Sequence, residues 1–257
     1  MRGRKDMQLA VLIDADNIPY SSVKGMLEEI AKIGNPTVKR IYGDWTKPTV
    51  SGWKQPLLEH AITPIQQYSY TTGKNATDSA MIIDAMDILH NQQVDGFCIV
   101  SSDSDFTRLA VRLREAGMLV IGIGERKTPQ PFIVACDKFI YIEIIGRTDS
   151  GEDVDGDVRS EGTKPKTDDF QHIDKIDKKL IKLLKISVED LADDSGWAFL
   201  GDVGNLINKK KPDFDSRNYG FSKLTPLFKS LSKDFDIDER DADKSGQIKH
   251  IYVKVKE

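Results

Sequence analysis

Val11-Leu12-Ile13-Asp14-Ala15-Asp16-Asn17 is a short apolar run that ends abruptly in two carboxylates and an amide, with Pro19 just beyond. A second run, Gly96-Phe97-Cys98-Ile99-Val100, stops in the same way at Ser101-Ser102-Asp103-Ser104-Asp105. Between them Asp78 opens an amphipathic stretch. Two acidic pairs delivered by two central strands, with no Lys or Arg inside either segment, crowd like charges and raise their pKa values. A divalent cation removes that penalty. Oxygen ligands without histidine favour Mg2+ or Mn2+ over Zn2+. Such an ion binds substrate phosphate, lowers the pKa of a bound water and screens charge on a phosphodiester under attack. Metal-assisted hydrolysis of a nucleic-acid backbone is the reaction this set supports best.

Each carboxylate also has a purely structural use. Asp16 or Asn17 suits the cap of a helix after Pro19, Asp103 suits the cap of a helix near Phe106, and Asn75 and Asp78 have capping-box spacing. Lys74 is a candidate phosphate contact or a solvated loop lysine. Arg108, one turn into its helix, reads as a phosphate contact or a surface ion pair. Asp84 and Asp87 read as solvated or capping.

The elements that must position these residues alternate. Strands are expected at the first apolar run, Thr37–Tyr42, Ala61–Tyr68, Gly96–Val100, Leu119–Ile123 and Lys138–Ile145. Helices are expected at Ser22–Ile33, Trp53–His60, Thr77–His90, Phe106–Ala116 and Pro131–Cys136, with Gly117 as a C-cap. The helix at Thr77–His90 has Met81, Ile82, Ala85, Met86 and Leu89 on one face. This order predicts an α/β unit with a mostly parallel sheet covered by helices on both faces. Right-handed crossovers place every strand-to-helix turn on one edge, where ligands of open α/β sheets sit. Gly122-Ile123-Gly124 lacks the rest of a dinucleotide fingerprint and reads as tight turning at a strand end.

Leu12-Ile13-Asp14-Ala15-Asp16-Asn17, Gly73-Lys74-Asn75-Ala76-Thr77-Asp78 and Val100-Ser101-Ser102-Asp103-Ser104-Asp105-Phe106 resemble the three motifs of the NYN family of PIN-like ribonuclease domains. The resemblance covers about residues 7–145. It implies a Rossmann-like PIN fold, dependence on Mg2+ or Mn2+, and cleavage of RNA, with single-stranded RNA as the expected partner. It carries metal-ligand roles onto Asp14, Asp78, Asp103 and Asp105. Asn17 and Ser101 become polar partners in the site, and Asp16, Lys74, Ser101, Ser102 and Arg108 become substrate-binding candidates. Asp14-x-Asp16 also resembles the nucleophile motif of haloacid-dehalogenase phosphatases. There Ile18 and Pro19 depart from the expected Thr or Val, and no clear later lysine motif follows. A non-catalytic RNA-binding adaptor with the same fold is the rival from another class.

Residues 146–171 are Gly, Asp, Ser and Thr with almost no large apolar side chain before Phe170, the composition of a flexible acidic linker. From Ile173 helical spacing returns through Ile176, Leu180, Ile181, Leu183 and Leu184, then at Leu200–Asn208 and Phe221–Leu231. An alternating Ile248–Val255 strand follows. Three helices and a terminal β-ribbon predict a small α+β winged-helix module. The Gly196–Gly204 segment and Pro212-Asp213-Phe214-Asp215-Ser216-Arg217-Asn218-Tyr219-Gly220-Phe221-Ser222-Lys223-Leu224 are similar to the OST-HTH, or LOTUS, domain, over about residues 173–257. That resemblance implies RNA or protein binding. Lys209, Lys210, Lys211, Arg217 and Lys223 are the candidate contacts, although a basic run at a helix end also complements the helix dipole. Trp197, Phe199, Phe214, Tyr219 and Phe221 read mostly as core or turn-packing aromatics.

The expected organisation is therefore a nuclease-like unit over 1–145, a linker over 146–171 and a winged-helix unit over 172–257. Of the 257 residues, 39% are hydrophobic and 30% charged, as in ordinary soluble proteins with a real core. The net charge of −4 is uneven: residues 1–145 carry 16 basic and 17 acidic side chains, 146–171 carry 4 and 8, and 172–257 carry 17 and 16. Neither flank is a globally basic nucleic-acid binder, so such binding needs local patches or metal ions. No apolar run approaches the ~20 residues of a membrane span, and the basic start is followed by no signal-like stretch. Cys98 and Cys136 lie in apolar strand-like contexts and read as buried free thiols, which fits a cytoplasmic protein. The four histidines show no ligand spacing.

Overall fold

The structure, a computed structural model, describes residues 7–68, 76–91, 94–145, 173–241 and 249–256. The expectations placed on Lys74, on Asn75 and on the 146–171 linker lie outside the described residues. The chain divides into two compact units, Met1–Gly146 and Arg147–Glu257.

In the first unit six strands form one parallel sheet: β1 (Gln8–Asp14), β2 (Asn35–Gly43), β3 (Thr63–Gln66), β4 (Gly96–Val100), β5 (Leu119–Gly124) and β6 (Lys138–Tyr141). Their order across the sheet is β3-β2-β1-β4-β5-β6. All five residues of β4 and all but the first of β1 are buried, as expected of parallel strands covered on both faces. Alternation along β1 splits the core in two. Leu9, Val11 and Ile13 pack with Val23, Met26 and Ile30 of α1 (Val23–Ala31). Ala10 and Leu12 face the other way, onto α3 (Ala76–Asn91), α4 (Thr107–Glu115) and α5 (Gln130–Ala135). The short α2 (Lys54–Glu59) continues a 3-10 turn and packs Leu57 on the α1 side.

Several local expectations need correction. In α3 the fully buried stripe is Met81, Ala85 and Ile88, with Ile82, Met86 and Leu89 only partly covered. The last strand stops at Tyr141, and Ile142–Ile144 is a 3-10 turn. Gly117 does end α4, with φ +79. Gly122 and Gly124 serve close packing and not turning. A Cβ on Gly122 would collide with the Phe139 ring and lie 2.8 Å from Cys136 Sγ, and one on Gly124 would lie 2.6 Å from the Ser101 carbonyl oxygen. Both cysteines are buried and free. Burial pushes the Cys136 thiol up to about 12 and raises Cys98 further, so neither forms a thiolate readily.

The second unit packs α6 (Lys178–Glu189), α7 (Leu200–Lys210) and α8 (Leu224–Ser230) on an antiparallel sheet of order β7-β9-β8. Its strands are β7 (Trp197–Phe199), β8 (Phe235–Asp241) and β9 (Lys249–Val255), a small α+β domain. Phe214 and Tyr219 belong to the core and Phe221 packs against it, as expected. Trp197 and Phe199 do not belong to it. Alternation puts Ala198 between them into the core and sends their rings to the opposite face. Among the described residues, no helix is long and apolar enough to cross a membrane.

Candidate functional site

The strand order reverses direction between β1 and β4, since the chain runs outward from β1 to β3 on one side and from β4 to β6 on the other. Such a switch point leaves a crevice at the carboxyl ends of the two central strands. Asp14 ends β1, and the register pairs Ile13 with Val100, so Ser101 arrives beside it.

Asp14 is only 1% exposed. Its Oδ2 accepts from Asn17 Nδ2 at 2.5 Å and from Ser101 Oγ at 2.9 Å, and its Oδ1 accepts from the Asp16 amide at 3.1 Å. Burial raises its pKa above the usual carboxylate value, and these three hydrogen bonds work against that rise. Asn17 is thus a support for Asp14 and not a helix cap. Pro19 occupies the cap position of the following 3-10 turn.

Ser101 Oγ also accepts the Asp103 amide at 3.1 Å, so one hydroxyl ties the ends of β1 and β4 together. Asp103 caps the 3-10 turn Ser104–Phe106, its Oδ1 accepting from the Asp105 amide at 2.9 Å. The structural use anticipated for Asp103 is real.

Asp78 lies in the first turn of α3, where the helix dipole favours an anion. It is half-buried, and its pKa is pushed up to about 6, by burial first and then by Asp14, Asp103, Asp105 and Asp16 in that order. Five carboxylates from three elements therefore share one field. One oxygen each of Asp78, Asp103 and Asp105 lies within 4.8 Å of the others. The all-oxygen donor set suits a hard cation. Asp14 stands beside the trio but outside it, and Asp16 is exposed at the rim.

The remaining candidates divide. Ser102 is buried, and its Oγ accepts the Glu125 amide at 2.9 Å, anchoring the turn after β5. Arg108 is exposed in the first turn of α4. Asp84 is neither solvated nor capping: it pairs with Arg40 and accepts the Tyr42 hydroxyl, two partners on β2. Asp44, passed over in the sequence, is another carboxylate at the same sheet edge. Its Oδ1 accepts from Thr46 Oγ1 at 2.6 Å and from Gln66 Nε2 at 3.0 Å, which accounts for its burial.

In the second unit the basic candidates are mostly engaged locally. Lys210 pairs with Asp190 at 2.7 Å, Lys211 Nζ donates to the Tyr219 hydroxyl at 3.1 Å, and Arg217 makes a two-pronged pair with Asp215 at 3.0 and 2.8 Å. The Arg217 and Asp215 side chains are each only 13% exposed. Lys209 and Lys223 are exposed.

Residues 8–143 match the NYN domain. The chain belongs to the NYN family. Residues 171–245 match the OST-HTH/LOTUS domain, so the NYN domain precedes a LOTUS domain in one polypeptide. Among solved structures, an uncharacterised protein of Nitrosomonas europaea is 34% identical over 40% of this chain and 93% of its own, with a TM-score of 0.30. A Vibrio parahaemolyticus protein of unknown function is 22% identical over 55% of this chain and 96% of its own, at 0.46. A Chromobacterium violaceum protein fragment is 29% identical over 32% of this chain and 86% of its own, at 0.26. No curated protein matches the chain. The PIN-like architecture of the NYN domain agrees with the six-stranded parallel sheet, and the LOTUS domain with the small α+β unit.

Proposed function

We propose that this NYN-family protein is a ribonuclease dependent on Mg2+ or Mn2+ that hydrolyses phosphodiester bonds of single-stranded RNA, with its LOTUS domain as an RNA-binding module. The observation that carries the reading is the meeting of Asp78, Asp103 and Asp105 at the switch point beside Asp14. Asp78, Asp103 and Asp105 would hold the ion, with Asp14 as a fourth carboxylate. When bound, the ion supplies an acidified water and positive charge for the phosphodiester. Asn17 and Ser101 orient Asp14 by donating to it, and these bonds oppose the rise that burial gives its pKa. Asp78, its pKa pushed up to about 6, is mostly ionised at neutral pH and would release its remaining proton to a bound cation's charge. Arg108, exposed in the first turn of α4, would meet substrate phosphate, and no histidine base is needed.

Burial weighs against the phosphatase reading. An attacking Asp14 would need a free oxygen pointing at phosphorus, whereas both of its oxygens accept hydrogen bonds from within the fold. A soluble, reducing compartment is consistent with the two unpaired, buried thiols.

Cleavage of a labelled single-stranded RNA in Mn2+ tests the proposal. The unaltered protein should cut it, and Asp103→Asn should slow cleavage at least about 100-fold, in line with loss of a charge-stabilising group at a reaction centre. RNA that is shifted in a gel but left intact by the unaltered protein would make it an adaptor. A stable aspartyl-phosphate on Asp14 would revive the phosphatase.

A further inference from the structure

β1 and β2 are parallel neighbours, so the segments that leave their carboxyl ends emerge on the same edge of the sheet as Asp103 and Asp105. The segment after β1 carries Asp14 and Asn17, buries Ile18 and turns at Tyr20–Ser22. The segment after β2 turns at Pro48–Trp53 and buries Trp53. The two turns meet at Tyr20 and Gly52. A Cβ on Gly52 would lie 2.6 Å from Cε1, 2.9 Å from Cδ1 and 3.1 Å from Cζ of the Tyr20 ring. One flank of the ring is thus seated on bare backbone, between Ile18 and Trp53, two anchors in the same core. Tyr20 stands on the β2 side of Asp14, whereas Asp103 and Asp105 stand on the β4 side. The residue is nonetheless 52% exposed, and among the described residues its hydroxyl makes no hydrogen bond and its ring meets no other ring. A ring already held in place loses little freedom when it binds.

We propose that the Tyr20 ring stacks on a base of the single-stranded RNA substrate and fixes the strand as it crosses the sheet edge toward the acidic crevice. The inference rests on the ribonuclease reading and adds to it a subsite for a nucleotide flanking the reacting phosphodiester. Position selects the occupant. Tyr20 follows Asp14 by six residues, a span of at most about 21 Å even if fully extended. A strand with one phosphate at the acidic trio therefore carries its neighbouring nucleotides past the ring. Every base offers a π-face, and stacking asks no hydrogen bond of the ring. Exposed charge in the two segments and the first turns of α1 and α2 is mixed, Lys24, Lys47 and Lys54 against Asp16 and Glu28. It favours neither a strongly acidic nor a strongly basic peptide, and leaves the ring as the feature to be bound. Two further observations set the ring apart from structural packing. Tyr20 belongs to neither core cluster of its unit. No left-handed φ calls for glycine at position 52, so an added methyl there would disturb the seat of the ring and not the backbone.

Cleavage of a labelled oligouridylate in Mn2+ by the full chain, with anisotropy of the same strand and photocrosslinking of a 5-iodouridine copy, tests the subsite. Tyr20→Ala should raise KM about 10-fold and leave kcat within about twofold, whereas Tyr20→Phe, which keeps the ring, should stay near the unaltered KM. Gly52→Ala should raise KM as well, because the methyl displaces the ring. Tyr20→Ala combined with Gly52→Ala should be no worse than Tyr20→Ala alone, since the methyl acts only through the ring. Both single variants should keep the unaltered circular dichroism. Crosslinks in the unaltered chain should map to Tyr20, a readout that needs no variant to fold. An unchanged KM in Tyr20→Ala, additive effects in the double variant, or crosslinks that all map elsewhere would overturn the subsite, and if Mn2+-dependent cleavage persists the ribonuclease reading stands. A chain that binds the strand without cutting it loses the ribonuclease reading. The subsite then stands if Tyr20→Ala weakens binding about 10-fold in anisotropy and falls if it does not. A chain that neither binds nor cuts RNA overturns both.

Discussion

Ser101 donates its hydroxyl to the Asp14 carboxylate at 2.9 Å, joining residues 87 positions apart across the boundary between β1 and β4. The same oxygen accepts the Asp103 amide at 3.1 Å. Both sides of the acidic crevice thus hang on one small polar side chain with no exposure to solvent.

Ser101→Ala should therefore act on stability and on the site together. Losing the donor leaves a buried carboxylate oxygen with one partner fewer, and losing the acceptor strands the Asp103 amide. Unsatisfied buried groups cost about 1–3 kcal/mol each. Urea unfolding should show a loss of about 2 kcal/mol. Cleavage measured well below the unfolding midpoint should fall as well, because Asp14 and Asp103 lose their common support.

Asp78 gives a pH dependence with a definite sign. Its pKa rises from 3.8 to about 6 on folding, so the folded state holds the proton more tightly than the unfolded chain. That contribution is fully present below about pH 4, is lost as pH rises through about 6, and is absent at pH 8. In the metal-free protein Asp78→Asn should consequently stabilise at pH 8, by about 1 kcal/mol once solvent screening of this half-exposed group is allowed for. The difference should vanish or reverse near pH 4. Thermal melts in chelator across this range check it.

Cation binding should reverse that order. Mn2+ at 100 times its dissociation constant stabilises a folded protein by about 2.7 kcal/mol. The unaltered chain should show a rise in melting temperature with Mn2+, and Asp78→Asn and Asp103→Asn should show little. Calorimetric titration should register proton release on binding near pH 6 that fades by pH 8, because Asp78 is then already ionised. Equal melting shifts in all three proteins would remove the ion from the trio.

Gly122→Ala tests a different part of the fold. The added methyl would collide with Phe139 and press on Cys136 Sγ at 2.8 Å, in a layer where neither neighbour can move into solvent. Overpacking of this kind costs about 1–3 kcal/mol. Denaturant midpoints should drop accordingly, with metal affinity little changed.

Tyr42 and Arg40 explain why Asp84 escaped a reading from local pattern alone. Helix α3 exposes Asp84 by its spacing, but β2 runs below it and supplies both partners from more than 40 positions away. Burial and the neighbouring carboxylate raise the Tyr42 hydroxyl above its usual range, so it stays a donor to Asp84. Asp84→Ala should leave Arg40, whose side chain is 28% exposed, without its anion and destabilise by about 2 kcal/mol. A double-mutant cycle with Arg40→Ala should recover much of that loss.

What the amino-acid order determined by itself was the local grammar. Apolar runs ending at Asp14 and at Ser101–Asp105 announced buried parallel strands, and Asp78 and Asp103 announced helix starts, because hydrophobic period and turn chemistry act over a few residues. Right-handed crossovers then sent all these acids to one edge, whatever the order of strands. Tertiary structure alone decided that β1 lies beside β4, which brings Ser101 to Asp14 and lets Asp78, Asp103 and Asp105 converge. It alone gave Asp84 to Arg40, and turned Trp197 and Phe199 away from the core onto the opposite sheet face. Strand order, long-range ion pairs and the choice of face depend on contacts between segments distant in the chain. Their free energies are set by burial and charge in three dimensions, where no local spacing records them.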